Sequence, residues 1–210
     1  YGSGGRAATI RALDSAGIAH CGDSAEQGRY RPATIEKNGV KLAFLAYSDF
    51  ETAGGTQNFD ALLGSIREAR GSSDCVVVSM HWGRELDSLP SARQIRMGHQ
   101  LIDAGAWLVI GHHPHVLQGV ESYRGKMILY SLGNFVFDNS QTEQSRSAIF
   151  RCTIGQSGID SVELIPISIN SWRPKPATDA GKDAIEDKLI RLSAALGTAL
   201  VKSGSGLIIK

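Results

Sequence analysis

The sequence predicts an α/β fold, and three observations carry that reading. A continuous β-branched run, Asp74-Cys75-Val76-Val77-Val78-Ser79-Met80, precedes a helical pattern from Ser91 to Ala104 and a second apolar run, Trp107-Leu108-Val109-Ile110. Strand, helix and strand in that order form the crossover unit of a parallel sheet, with the C-terminal ends of both strands on one edge. Strand-rich sequence follows this unit. Of the 210 residues 42% are hydrophobic and 20% charged, enough apolar material for one sizeable core or two small ones and too much for a disordered chain.

The elements follow in order. Ala7, Ile10, Leu13 and Ala16 lie at helical spacing and stop at Gly17, with a short extended piece expected from Ile18 to Cys21. Ala33 to Glu36 and Val40 to Tyr47 read as strands joined through Asn38-Gly39, the strongest short hairpin signal in the chain. Phe59, Leu62, Leu63 and Ile66 then predict a helix to Arg70, and His81 stands just past the strand that follows it. The helix after that opens on a Ser-x-x-Gln capping box, Ser91 and Gln94, and stops at Gly105. Val116 to Tyr123, Lys126 to Leu132, Ser147 to Ile154 and Val162 to Ile169 alternate or run apolar between Gly, Asn and Ser breaks, which predicts strands. Asn170 to Lys182, with Pro174 and Pro176, reads as a surface connection, and Ala184 to Leu196 as a terminal helix.

Composition and motif inspection exclude several function classes. Lys plus Arg (22) against Asp plus Glu (21) leaves a net charge of +1, so no global field draws nucleic acid or an anionic membrane, and the basic residues form no aromatic-interleaved stripe. No nucleic-acid partner is expected. No apolar run approaches the ~20 residues that span a bilayer, and Tyr1-Gly2-Ser3-Gly4-Gly5 lacks the pattern of an export signal. Cys21, Cys75 and Cys152 are odd in number and far apart, which supports neither a disulfide framework nor a zinc ribbon. There is no G-x-S-x-G, H-E-x-x-H or strand-following G-x-G-x-x-G; Gly119 to Lys126 superficially resembles a P-loop but is one residue too long, has Met127 in the Ser/Thr place, and reads as a hairpin turn.

What remains is a concentration of imidazole. Five of the six histidines fall between His81 and His115, and His112, His113 and His115 lie directly after a strand in a loop stiffened by Pro114. Histidine is the commonest transition-metal ligand, and three nitrogens from His81, His113 and His115 can converge on the shared strand edge. His99 lies on a helix face with Ile95 and Ile102 and reads as a partly buried packing histidine, or one that supports a ligand, rather than a ligand itself; His20 reads as structural or surface.

The runs His81-Trp82-Gly83-Arg84-Glu85, Leu101 to Ala106, Val109 to Gly119 and Tyr130-Ser131-Leu132-Gly133-Asn134-Phe135-Val136-Phe137-Asp138 closely resemble the bacterial CapA family, poly-γ-glutamate capsule biosynthesis proteins related to the calcineurin-like metallophosphatases. The resemblance extends upstream through Ala16 to His20 and Asn38 to Tyr47, and downstream through Leu164-Ile165-Pro166 and Arg173-Pro174. It implies a sandwich of two mixed β-sheets flanked by helices, with two divalent transition metal ions (Mn, Fe or Zn) at strand ends. It implies His81, His113 and His115 as metal ligands and His112 as a neighbour outside the ligand set. Glu85, Asp49 and Asn134 come next: Glu85 as a general acid or base, Asn134 as a group that orients substrate or a ligand. The implied function is a metal-dependent hydrolase in capsule polyglutamate assembly, acting on an anionic substrate or the polyglutamate polymer beside membrane-bound synthase components.

The family's early ligands should precede a segment like Tyr1 to Gly5, so residues 1–210 are expected to form a single domain that is N-terminally incomplete, anchored at the cell envelope through an upstream segment. A degenerate member without activity is the competing expectation. Two further functional readings stand beside the hydrolase: a noncatalytic scaffold for the polymer synthase, and an intracellular metallophosphoesterase unrelated to capsule.

Overall fold

Alternation along the central strands sets the architecture. The computed structural model describes residues 2–22, 29–50, 58–138, 141–155 and 158–210. In chain order these form α1 (Gly2–Ser15), β1 (Ala33–Lys37), β2 (Val40–Ser48), α2 (Phe59–Arg70), β3 (Cys75–His81), α3 (Ala92–Ala104), β4 (Leu108–His112), β5 (Val120–Tyr123) and β6 (Lys126–Leu129). Then come β7 (Arg146–Gly155), β8 (Gly158–Asn170), β9 (Arg173–Pro176), α4 (Asp179–Ala194), β10 (Leu200–Ser203) and β11 (Gly206–Ile209).

The first sheet runs β1-β2-β3-β4-β6-β5, with β2, β3, β4 and β6 parallel and the two outer strands antiparallel. Ala43, Leu45, Val76, Val78, Met80, Val109 and Ile128 point to one face, where Leu62 and Ile66 of α2 and Met97 and Leu101 of α3 meet them. Their neighbours Val77, Leu108, Met127 and Leu129 point to the other face, against Ala148, Leu164 and Leu207 of the second sheet and Ile185 and Leu189 of α4. Both faces are therefore covered, which is why these strands read as continuous apolar runs. Each fully buried aliphatic side chain contributes roughly 1.5–3 kcal/mol to this packing.

Two sheets flanked by helices are what the family resemblance implied, and the first sheet mixes strand directions. The second, β10-β11-β8-β7 with β9 beside β8, is antiparallel in every pairing among the described residues. The reason lies in its connections: parallel neighbours need a long crossover, whereas Asn170 faces Arg173 and Ser203 faces Gly206 across two-residue turns.

Other differences are local. Part of the expected connection from Asn170 to Lys182 is strand β9, because an edge strand tolerates Pro174 and Pro176 where a central one cannot. The terminal helix starts earlier than expected, at Asp179, and a C-terminal hairpin, β10 and β11, follows it. Ile18 to Cys21 forms no strand. Of the run Val116 to Tyr123 only Val120–Tyr123 is strand, Leu117 making an isolated bridge to Leu132. The turn between β5 and β6 is the expected hairpin, with Arg124 and Gly125 at φ 51° and 70°.

Candidate metal centre

Parallel pairing of β3 and β4 puts His81 and His112 side by side at the end of the ladder. The strand ends are pinned by Trp82, which is fully buried and donates its indole N–H to the Tyr130 carbonyl at 3.0 Å. That bond passes over Gly111: a Cβ there would lie 2.0 Å from the Tyr130 oxygen and 2.5 Å from the Trp82 nitrogen. Gly111 is thus required by a close approach, and the chain can turn sharply directly after it.

The turn is strained. His113 and His115 hold φ of 97° and 59°, left-handed values that cost a residue with a Cβ about 1–2 kcal/mol. The strain brings the rings together: centroids of His81 and His113 are 4.7 Å apart, and those of His113 and His115 are 6.0 Å apart. Glu85, in the loop after β3, enters the same space. Its carboxylate and one nitrogen each of His113 and His115 all lie within 4.8 Å of one another. The loop is tied in place by the Leu86 N–H, which donates to the Pro114 carbonyl at 2.8 Å.

Asn134, 6% exposed, accepts from His115 Nδ1 through its Oδ1 at 2.7 Å while its amide donates to the Gln144 carbonyl at 3.1 Å. The second bond fixes which end of the amide faces His115. An amide oxygen only accepts, so the His115 proton resides on Nδ1 and Nε2 keeps its lone pair. That is how imidazoles that bind metals are held. His81 still reaches solvent, but partial burial, and then the repulsion of His113, His112 and His115, hold its pKa below the ordinary histidine value. The neutral, ligating form is the favoured one.

Among the described residues one donor set therefore forms, His113 with His115 and Glu85, while His81, expected as a ligand, lies outside it and meets it through the contact of its ring with that of His113. Nitrogen and carboxylate donors of this kind suit Zn, Mn or Fe. Glu85, expected as an acid or base, lies among the donors. Asp49 does not: its carboxylate is held by Arg93 in a two-pronged ion pair at 2.7 and 2.5 Å. His112 is exposed at the edge of an adjoining cavity of about 310 Å³, with Ile110, Leu132 and Phe150. His99 stacks on Tyr123 at 3.8 Å and pairs with Glu121 at 2.8 Å, so of its two expected roles the packing one holds, and His20 meets Asp14 at 3.1 Å.

Sequence reading did not single out the aromatic rim. Phe50 lies 4.4 Å from the His113 ring, and Phe137 5.0 Å from that of His115. No local pattern marks either residue, since each is brought to the site by the fold.

Comparison with known proteins supplies the family. The family profile described as "Bacterial capsule synthesis protein PGA_cap" matches residues 1–139. The chain belongs to this family. It is 36% identical over 195 residues to the capsule biosynthesis protein CapA of Bacillus anthracis, covering 86% of this chain and 47% of that protein. It is also 36% identical over 183 residues to the PGA biosynthesis protein CapA of Bacillus subtilis strain 168, covering 82% and 47%. A "probable polyglutamine synthesis accessory protein" of Mycobacterium tuberculosis is 27% identical over 157 residues, 71% of this chain and 41% of that one. The chain thus spans about half the length, 47%, of the two Bacillus relatives. Among solved structures, a hypothetical protein from Thermus thermophilus aligns over 69% of this chain and 58% of its own, with a TM-score of 0.42 and 18% identity.

Proposed function

We propose that this capsule-synthesis family member is a metal-dependent hydrolase of the metallophosphatase type, acting at the cell envelope in the assembly of poly-γ-glutamate. The observation that carries the proposal is the convergence of Glu85, His113 and His115, with Asn134 holding the His115 tautomer that frees Nε2. His81, His113 and His115 would hold the metal, and Glu85 would complete the set around His113 and His115. The Glu85, His113 and His115 donors fit one ion, and a second, as the family resemblance implies, would need further ligands beside His81. Once bound, such ions polarise a phosphoryl or carbonyl oxygen and lower the pKa of a bound water.

The chain's own residues do the rest. Asn134 holds the His115 proton away from the site, and His81 stays neutral in its partly enclosed position. Phe50 and Phe137 flank the imidazoles of His113 and His115 with apolar surface. With a net charge of only +1, attraction for an anionic substrate such as the polyglutamate polymer would come from the metal centre rather than from lysine and arginine. Among the described residues no helix is long and apolar enough to cross a membrane, so placement at the envelope rests on the family alone.

A second reading is favoured by one observation, the word "accessory" in the name of the mycobacterial relative. Here the chain would scaffold a membrane-bound polymer synthase without catalysis. Complementation of a capsule-deficient strain separates the two. The hydrolase reading predicts that a His113→Ala, His115→Ala double variant, expressed at the wild-type level, fails to restore polymer; full restoration would establish the scaffold.

A further inference from the structure

Two amides sit in the interior behind the site. Gln118 and Gln94 are 1% and 2% exposed. An unpaired buried amide costs several kcal/mol, on the order of 2–7, so each must be hydrogen-bonded. Their bonds converge on one stretch of backbone. The Gln118 Nε2 donates to the Asp87 carbonyl at 2.8 Å and the Leu89 carbonyl at 3.2 Å, and its Oε1 accepts from Gln94 Nε2 at 3.1 Å. Gln94 Oε1 in turn accepts from the Ser91 N–H at 2.9 Å, closing the capping box of α3. Gly83, at φ 85°, leaves no room for a side chain: a Cβ would lie 2.8 Å from the Gln94 amide.

The two glutamines thus grip the loop between β3 and α3 from inside, at Gly83, Asp87, Leu89 and Ser91. Glu85 lies within this span. Its carboxylate has no hydrogen bond among the described residues, so its place beside His113 and His115 is inherited from the backbone. That backbone is further fixed by the bond from Leu86 to Pro114, which adjoins both histidines. Two apolar side chains would fill the same interior at no desolvation cost, yet would leave the carbonyls of Asp87 and Leu89 without donors.

We propose that Gln118, buttressed by Gln94, is a positioning residue that sets the Glu85 carboxylate against His113 and His115. The proposal deepens the metal-centre reading above and rests on it. The test is a titration with Co²⁺, followed by visible absorbance, of wild-type protein, Gln118→Met, Glu85→Ala and the double variant. Gln118→Met is expected to weaken Co²⁺ binding about tenfold, the scale of a lost supporting partner. The double variant is expected to bind no more weakly than Glu85→Ala alone, because Gln118 acts through Glu85. An unchanged affinity in Gln118→Met, or a loss that adds in full to that of Glu85→Ala, overturns the proposal.

Hydrogen exchange at the Leu86 amide supplies a reading that needs no metal: Gln118→Met should speed it while the amides of β4 keep their protection. If wild-type protein binds no Co²⁺, the metal-centre reading fails, and an unaltered Leu86 exchange rate would then remove the positioning role as well. Should Gln118→Met not fold, Gln118→Glu, which keeps an acceptor for Gln94, is put through the same measurements.

Discussion

At His113 a φ of 97° forces a Cβ into space where only glycine is comfortable. Two substitutions separate that strain from the imidazole. Both His113→Gly and His113→Ala remove a donor, but the glycine variant should be the more stable of the two by about 1 kcal/mol in urea denaturation. Equal stability would mean that the backbone relaxes once the ring is gone. Asn134 offers a second test at this scale. With leucine there, the His115 Nδ1 proton loses its acceptor at 2.7 Å, and metal affinity measured by calorimetry should fall ten- to a hundredfold, roughly the effect of losing such a partner. An unaltered affinity would show that the amide serves only the bond to Gln144.

Among the elements, β3 and β4 carry the site, and their mutual hold depends on one missing side chain. Gly111→Ala puts a methyl group 2.0 Å from the Tyr130 carbonyl, so the indole bond of Trp82 must break or the strands must part. The expected cost is about 3 kcal/mol, the upper part of the range for overpacking, read from the shift in a denaturation midpoint. A shift smaller than experimental scatter would show that Trp82 can leave its place freely.

This part of the fold was legible because its signals are local. The Asn38-Gly39 turn, with φ of 54° and 74°, fixed the β1–β2 hairpin, and the apolar runs with a capped helix between them predicted β3, α3 and β4. Strand β9 was not legible, since Pro174 and Pro176 argue against a strand unless its edge position is known. The hairpin of β10 and β11 is two four-residue strands whose place depends on pairing with Leu164 and Glu163, far away in sequence. The candidate site divides in the same way. His81, His113 and His115 could be picked out by their density at strand ends, whereas Phe50 and Phe137 reach the rings only through the fold. Glu85 was noticed, but only the turn after β4 shows which histidines it faces.

For the molecule as a whole, the site makes stability depend on pH. The folded protein holds His81 below the ordinary value of 6.5, so the unfolded chain binds more protons there in slightly acidic solution. Metal-free protein should therefore lose stability as the pH falls below about 6.5, the histidine reference value, until His81 is protonated in the folded state too. Thermal denaturation across pH 5 to 8 checks this, and His81→Gln should reduce the slope, leaving the share that His112, whose pKa is also held below the ordinary value, contributes. A slope of opposite sign would place His81 against a carboxylate instead.

The central claim is that this family member gathers imidazole and carboxylate into a metal centre at the common end of β3 and β4. Elemental analysis of protein purified from the complete reading frame, beside its His113→Ala, His115→Ala variant, tests it most directly. The account predicts stoichiometric Mn, Fe or Zn in the first and its loss from the second, with both proteins folded. Transition metal absent from the wild-type protein even after incubation with these ions, or retained in full by the double variant, would contradict it.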